Sequence, residues 1–211
     1  MKRKPILLIL TDSISLPRSY ESGHVEWEET YISRLKDVLN EFEIISIAIG
    51  GASIKELRNQ VVYYSVLSPK YVIIQCGIVD CTPRAFGKIE IEIVKKLRLL
   101  RLTRPFVKLL RKYRSHKYVS PKKFEHYLKE MKMKLNAEIF FSLSILPSND
   151  AYERKAPGIT RNINTYNTIL ERNTNFINLS AIPKEAILSD HHHINALGHD
   201  YIFNCILEEV K

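Results

Sequence analysis

The 211-residue chain predicts an α/β fold: a three-layer α/β/α sandwich around a five-stranded, mainly parallel sheet. Three observations predict it. Short apolar runs of strand length alternate with longer segments of helical period. The first run, residues 6–10, is continuously aliphatic, as a strand covered on both faces must be. Small or polar residues close each run, which is the punctuation expected between strand and helix.

Taken in order, residues 6–10 form the first strand. Residues 25–42 carry Trp27, Tyr31, Leu35, Val38 and Leu39 at helical spacing. Residues 43–49 are rich in isoleucine and run into Gly50-Gly51, a strand entering a tight turn. A helix over 53–67 stops at Ser68-Pro69, and 71–75 form the third strand. Helical stretches follow over 88–114, broken near Pro105, and over 121–135. Residues 138–143 are the fourth strand, followed by a polar loop. A helix over 158–172, a strand over 176–179 and a closing helix over 195–210 complete the pattern. Strands joined through helices imply right-handed crossovers and a parallel sheet. The length suits one domain, residues 1–211, with a basic helical insertion at about 88–120.

Composition excludes several classes. Hydrophobic residues make up 45% and charged residues 26%, the balance of a folded globular chain. No apolar run approaches the roughly 20 residues that cross a bilayer. Met1-Lys2-Arg3-Lys4 resembles the charged start of a signal peptide, but the apolar stretch after it is shorter than the about 7–15 residues such a signal needs. A cytoplasmic location is the expectation. Three cysteines without CxxC spacing suggest neither a disulfide framework nor zinc. Cys76 and Cys205 read as core residues, and Cys81 as a loop thiol with room to react.

In an open parallel sheet, ligands bind beyond the carboxyl ends of the strands, so those loops are where chemistry is expected. Thr11-Asp12-Ser13 follows the first strand, Gly50-Gly51 the second, and Gly77-Ile78-Val79-Asp80 the third. Asp190-His191-His192-His193 precedes the last helix. A serine hydroxyl becomes nucleophilic when an imidazole takes its proton, and a carboxylate fixes that imidazole's tautomer. Asp190, three residues before His193, can place both groups over the sheet end opposite Ser13.

This ordered set resembles the SGNH (GDSL-like) hydrolases, and the match spans almost the whole chain. That family's blocks read GDS, a glycine after the second strand, GxND and DxxH. Here they are Thr11-Asp12-Ser13, Gly51, Gly77-Ile78-Val79-Asp80 and Asp190…His193, with Asn195-Ala196-Leu197-Gly198-His199 as a similar continuation. The resemblance implies a flavodoxin-like sheet order and an esterase acting through acyl-Ser13, with His193 as base and Asp190 as its partner. It implies oxyanion donors from the amides of Ser13 and Gly51, small acyl groups such as O-acetyl on a carbohydrate or glycan precursor, and no cofactor. Val79 stands where the family has an asparagine donor. Three readings follow: Arg84 or a nearby amide replaces the donor, the reaction is slow or uses an activated acyl group, or catalysis is lost. Acyl transfer to a sugar, or a catalytically impaired glycan-binding module, are the alternatives to hydrolysis.

The remaining candidates have structural roles beside functional ones. Asp12 organises the nucleophile turn. Asp80 and Arg84 are read either as a loop-fixing ion pair or as substrate contacts, and His192 as a residue touching substrate. Three adjacent histidines point in different directions and no second ligand cluster accompanies them, so no metal is expected. His199 reads as a packed helix residue.

The formal charge is +9, concentrated between Arg84 and Lys123, where only Glu90 and Glu92 oppose the basic residues. Interleaved aliphatics make 88–114 amphipathic, with its apolar side expected against the domain. Beyond a merely solvated basic face, it suits an anionic membrane surface or an acidic substrate. No nucleic-acid module is recognisable, so charge alone does not argue for that partner.

Overall fold

The computed structural model describes residues 4–21, 23–114 and 116–210; the basic start at Met1–Arg3 lies outside them. Strand β1, Ile6–Thr11, is buried along its whole length. A hairpin follows, β2 (Arg18–Tyr20) with β3 (Gly23–Val25). Helix α1, Tyr31–Val38, leads to β4, Glu43–Ala48, and α2, Ile54–Tyr64, to β5, Tyr71–Gln75. The short α3, Ile78–Cys81, is followed by a run of helices, α4 (Lys88–Lys96), α5 (Leu100–Thr103) and α6 (Val107–Arg114). Helix α7, Pro121–Leu135, precedes β6, Ile139–Leu143. Two helices, α8 (Asp150–Lys155) and α9 (Ile159–Asn173), lead to β7, Asn175–Ile177, and α10, Ala196–Val210, ends the fold.

The main sheet has the order β4-β1-β5-β6-β7, and every pairing in it is parallel. This is a three-layer α/β/α sandwich. Alternation along the strands feeds two apolar layers. Leu8, Leu10, Val72, Ile74 and Phe140 meet α2, α7 and α9 on one face, and Leu7, Ile9, Ile73, Phe141 and Leu143 meet α1 and α10 on the other. Burying each such aliphatic side chain is worth about 1.5–3 kcal/mol, so the central strands hold the frame on which the loops stand. The strand order reverses between β1 and β5, and the loops after these two strands flank that point.

Several boundaries differ from those predicted. The helix expected over 25–42 is confined to α1, because Thr30 caps it by accepting the Ser33 N–H, and residues 27–29 form a separate 3-10 turn with Trp27 exposed. The segment 88–114 breaks twice. Arg98 takes a left-handed φ of 55° after α4, and Arg104–Phe106 turn ahead of α6. Arg114 reconnects the pieces by donating to both carboxylate oxygens of Glu90 at 3.0 and 2.7 Å. The apolar side of this segment packs only in part: Ile91, Val94, Val107 and Leu110 are half-buried. Ile89, Leu102 and Tyr113 are 78%, 69% and 75% exposed, and Ile93, Leu97, Phe106 and Leu109 are exposed as well.

Candidate functional site

The turn after β1 presents Ser13. Asp12 holds the turn from below: its Oδ1 accepts the Ile14 N–H at 3.0 Å, and its own N–H donates to the Gln75 carbonyl at 3.2 Å. Arg18, from β2, donates through Nη2 to the Ser13 carbonyl at 3.0 Å. Asp12 is fully buried, and burial pushes its carboxyl up to about 7, against the opposing pull of the Ile14 N–H and the Arg18 charge. It belongs under the turn and is not a substrate contact.

The loop before α10 brings the imidazole. Leu188 N–H donates to the His193 carbonyl at 2.8 Å, and Asn195 N–H to the Ala186 carbonyl at 3.0 Å, a bridge that pins both sides of the loop. Asn195 then caps α10 by accepting the Gly198 N–H at 3.2 Å. Within the loop, Asp190 Oδ1 accepts the amides of His192 and His193 at 3.1 and 3.0 Å. Asp190 Oδ2 lies 2.6 Å from His193 Nδ1, and His193 Nε2 lies 2.9 Å from Ser13 Oγ. Residues 180 positions apart thus form one hydrogen-bonded chain of hydroxyl, imidazole and carboxylate.

The electrostatics of the chain follow from its surroundings. Burial lowers the His193 pKa, and the bond to Asp190 restores only part of it, so the ring is held in its neutral form. Burial works to raise the Asp190 carboxyl, but the His193 ring and the two amides overcome it and keep it ionised well below the usual range. A neutral imidazole with Nδ1–H toward Asp190 leaves Nε2 free to accept the serine proton.

Asp190, His192 and His193 place ligand-type atoms within 4.8 Å of one another. Both His193 ring nitrogens are already engaged, with Ser13 and Asp190, and His192 Nδ1 lies 2.9 Å from the Asp190 carbonyl. A cation there would compete with the chain itself, so these residues fit proton transfer better than metal binding.

Gly51 has a left-handed φ of 69° in the turn after β4, with open space where a Cβ would stand. Among the described residues, neither the Ser13 nor the Gly51 amide N–H has a protein acceptor. Gly77 has φ of 120°, and a Cβ on it would come within 2.6 Å of Ile145 Cδ1, which fixes the close turn into α3.

Asp80 requires a correction. It makes no ion pair with Arg84 and does not reach a substrate cleft. Its two carboxylate oxygens are both 3.1 Å from the Ile54 N–H at the start of α2, and the side chain is fully buried. Burial raises it to about 8. The start of α2 needs an acceptor, and the Asp80 carboxylate on α3 supplies it. Cys81 is likewise not a loop thiol: it is buried in α3, and burial pushes its pKa up. His199 is buried, accepts the Tyr31 N–H at 3.3 Å and is lowered to about 4 by burial and the charges of Arg34 and Arg18.

Arg84, His192 and Val79 meet at a cavity of about 150 Å³ that reaches Asp190. His192 stacks near Tyr152, ring centroids 6.2 Å apart, and Tyr152 and Lys155 of α8 form part of the wall. Arg18, Arg111, Tyr152 and Lys155 were not singled out by sequence. In a chain so rich in basic residues nothing marks one arginine from another, and α8 lies in a stretch that reads as a polar loop.

Neither a family sequence model nor a curated relative matches the chain. Solved structures do. A lipase/acylhydrolase from Enterococcus faecalis superposes with a TM-score of 0.67 at 14% identity, covering 97% of this chain and 95% of that one. A member of the lipolytic G-D-S-L family from Veillonella parvula gives 0.63 at 11% identity, with 97% of each chain covered. A GDSL-like lipase from Bacteroides thetaiotaomicron gives 0.60 at 14% identity, covering 96% of this chain and 86% of that one. The fold is that of the GDSL-type lipases and acylhydrolases. Near-complete coverage means that this GDSL-type fold extends over almost all of the chain. In the turn after β5 the apolar Ile78 and Val79 line the cavity.

Proposed function

We propose that this protein is a serine acyl-ester hydrolase that removes O-acetyl or other small acyl groups from a carbohydrate or glycan precursor through an acyl-Ser13 intermediate. The observation that carries this reading is the unbroken Ser13–His193–Asp190 hydrogen-bonded chain. His193 Nε2 takes the Ser13 proton as Oγ attacks the ester carbonyl. The amides of Ser13 and Gly51 are the donors assigned to the resulting oxyanion. Collapse breaks the acyl–oxygen bond, and His193 returns the proton to the departing alcohol. Water, deprotonated by the same ring, then attacks the acyl-enzyme and releases the carboxylic acid and free Ser13. A sugar hydroxyl in place of water would make the same residues an O-acyltransferase. The carbohydrate acceptor follows from the family resemblance and not from the cavity.

Turnover of acetylated sugars and aryl acetates by wild type and Ser13→Ala tests the reading, with fluorophosphonate labelling as a second readout. Loss of a triad nucleophile is expected to cost about 10³-fold or more. Equal residual rates in the two proteins, with no labelling of wild type, would leave the impaired binding module as the better description.

We also propose a peripheral contact with an anionic lipid surface through α4–α6. Its support is the exposed apolar row of Ile93, Leu97, Leu102 and Phe106 beside the exposed Lys95, Lys96, Arg98 and Arg101. No helix among the described residues is long and apolar enough to cross a membrane.

A further inference from the structure

Two guanidinium groups share a cavity with Asp190, the carboxylate end of the Ser13–His193–Asp190 chain, and have no carboxylate of their own among the described residues. Arg84 and Arg111 both line the cavity that reaches Asp190 and His192. They also line a second cavity of about 310 Å³ under α4–α6, so the pair forms the partition between the two. Other arginines of this chain have acidic partners: Arg34 pairs with Asp200, Arg58 with Glu130 and Arg114 with Glu90. Arg84 and Arg111 have none among the described residues. The one acid on the cavity wall is Asp190, already committed to His193. Lys155 adds a third cation to the same wall.

Both arginines are held in place rather than left to wander. The Arg84 guanidinium lies over the Tyr118 ring at 4.8 Å, and its backbone N–H donates to the His116 carbonyl at 2.8 Å. Arg111 donates through Nη1 to the Lys155 carbonyl at 2.9 Å. The Nε atoms of both are buried with no protein acceptor. Burial, and then the neighbouring Arg84 charge, weaken the hold of Arg111 on its proton. Two fixed, like-charged and incompletely satisfied forks are costly to keep together unless something negative joins them. The remaining terminal nitrogens suit the paired oxygens of a carboxylate or phosphate.

We propose that the Arg84–Arg111 pair binds an anionic group, carboxylate or phosphate, carried by the same molecule whose ester reaches Ser13. The substrate class is therefore an acidic acyl ester, such as an acylated sugar acid or sugar phosphate. The proposal rests on the hydrolase reading for what the anion is attached to, but not for the anion site itself.

Three aryl acetates of one shape test it: 4-acetoxybenzoate, 4-acetoxyphenyl phosphate and neutral methyl 4-acetoxybenzoate, each rate normalised to its hydroxide-catalysed hydrolysis. Wild type is expected to favour at least one charged ester about tenfold or more in kcat/KM, and the better of the two identifies the anion. Arg84→Gln and Arg111→Gln should each bring the charged-to-neutral ratio down about tenfold, whereas Arg84→Lys keeps part of it. Lys129→Gln, which removes an exposed charge paired with Glu125 on α7, should leave the ratio alone. A ratio near one in wild type, or one that survives both arginine substitutions, overturns the proposal. Calorimetry with inorganic phosphate and 4-acetoxybenzoate on Ser13→Ala separates the two readings. If wild type cleaves none of the three esters, the hydrolase reading falls and binding decides. Anion binding that Arg84→Gln abolishes supports the site, and absence of binding to either anion removes it.

Discussion

Replacing Asp12 by asparagine removes a titrating group from beneath the nucleophile turn while keeping its shape. Asn Oδ1 can still accept the Ile14 N–H, the bond that Asp12 Oδ1 makes at 3.0 Å, and Oδ2 has no protein partner to lose. Burial raises Asp12 from 3.8 to about 7, which at 1.36 kcal/mol per unit amounts to about 4 kcal/mol. The sign follows from linkage. A carboxyl whose folded pKa lies above its unfolded value favours folding most below the unfolded pKa and loses that contribution as pH rises through the folded one. Wild type should therefore lose up to about 4 kcal/mol relative to Asp12→Asn between pH 4 and 7, with little further divergence above. Urea unfolding of both proteins at steps across pH 4–8 reads this difference directly. Asp80, raised to about 8 chiefly by burial, titrates in both proteins; the Asp12 charge adds to its rise, so its loss of stability with pH is smaller in Asp12→Asn and widens the difference in the same direction. Parallel stability curves for the two proteins would refute the claim that Asp12 is buried and costly to ionise.

Two further outcomes are expected. The acid limb of the kcat/KM profile should have its midpoint below the 6.5 of a free imidazole, because burial lowers His193. Asp190→Asn removes the group that raises it, so the midpoint should fall further while kcat drops by about 10⁴; an unchanged profile would detach Asp190 from the base. In sedimentation with vesicles, the protein should bind those containing phosphatidylglycerol and not pure phosphatidylcholine, and serine at Leu97, Leu102 and Phe106 together should abolish binding. Equal partitioning onto both vesicles would dismiss the lipid contact.

How far the sequence is legible depends on how many signals coincide at each element. Strand β5 and helix α7 fall where they were predicted, since apolar period, flanking Ser68-Pro69 and the Ser120-Pro121 start all agree there. The β2–β3 hairpin is invisible because its strands have three residues each and only Val25 is buried. Helix α8 hides in a polar loop for a similar reason, with Tyr152 its one buried residue. At the site, Ser13, Asp190 and His193 were readable from residue chemistry in the order of the loops. Asp80 was misread because a loop carboxylate looks solvent-facing, and nothing local reveals that the Ile54 N–H, 26 residues away, needs it. Arg18 and Arg111 owe their places to tertiary folding alone.

The structure also separates where bonds would be broken from where substrates would be chosen. Ser13 and His193 stand on loops pinned by backbone bonds to Gln75 and Ala186 and by the Asp12 and Asn195 caps, all parts of the sandwich itself. Apart from Asp190 and His192, the cavity wall instead comes from residues 78–84, α6 and the end of α8, which supply Val79, Arg84, Arg111 and Lys155. On the hydrolase reading this division explains how an apolar Val79 is tolerated. One missing oxyanion donor costs about 10²–10³ in rate. Binding energy from a remote charged group, spent on holding the ester against Ser13, offsets a loss of that order when the anchor is rigid and half-buried. An enzyme built this way should be poor on neutral esters and selective for charged ones, because its rate depends on an anchor that only the charged ester can use.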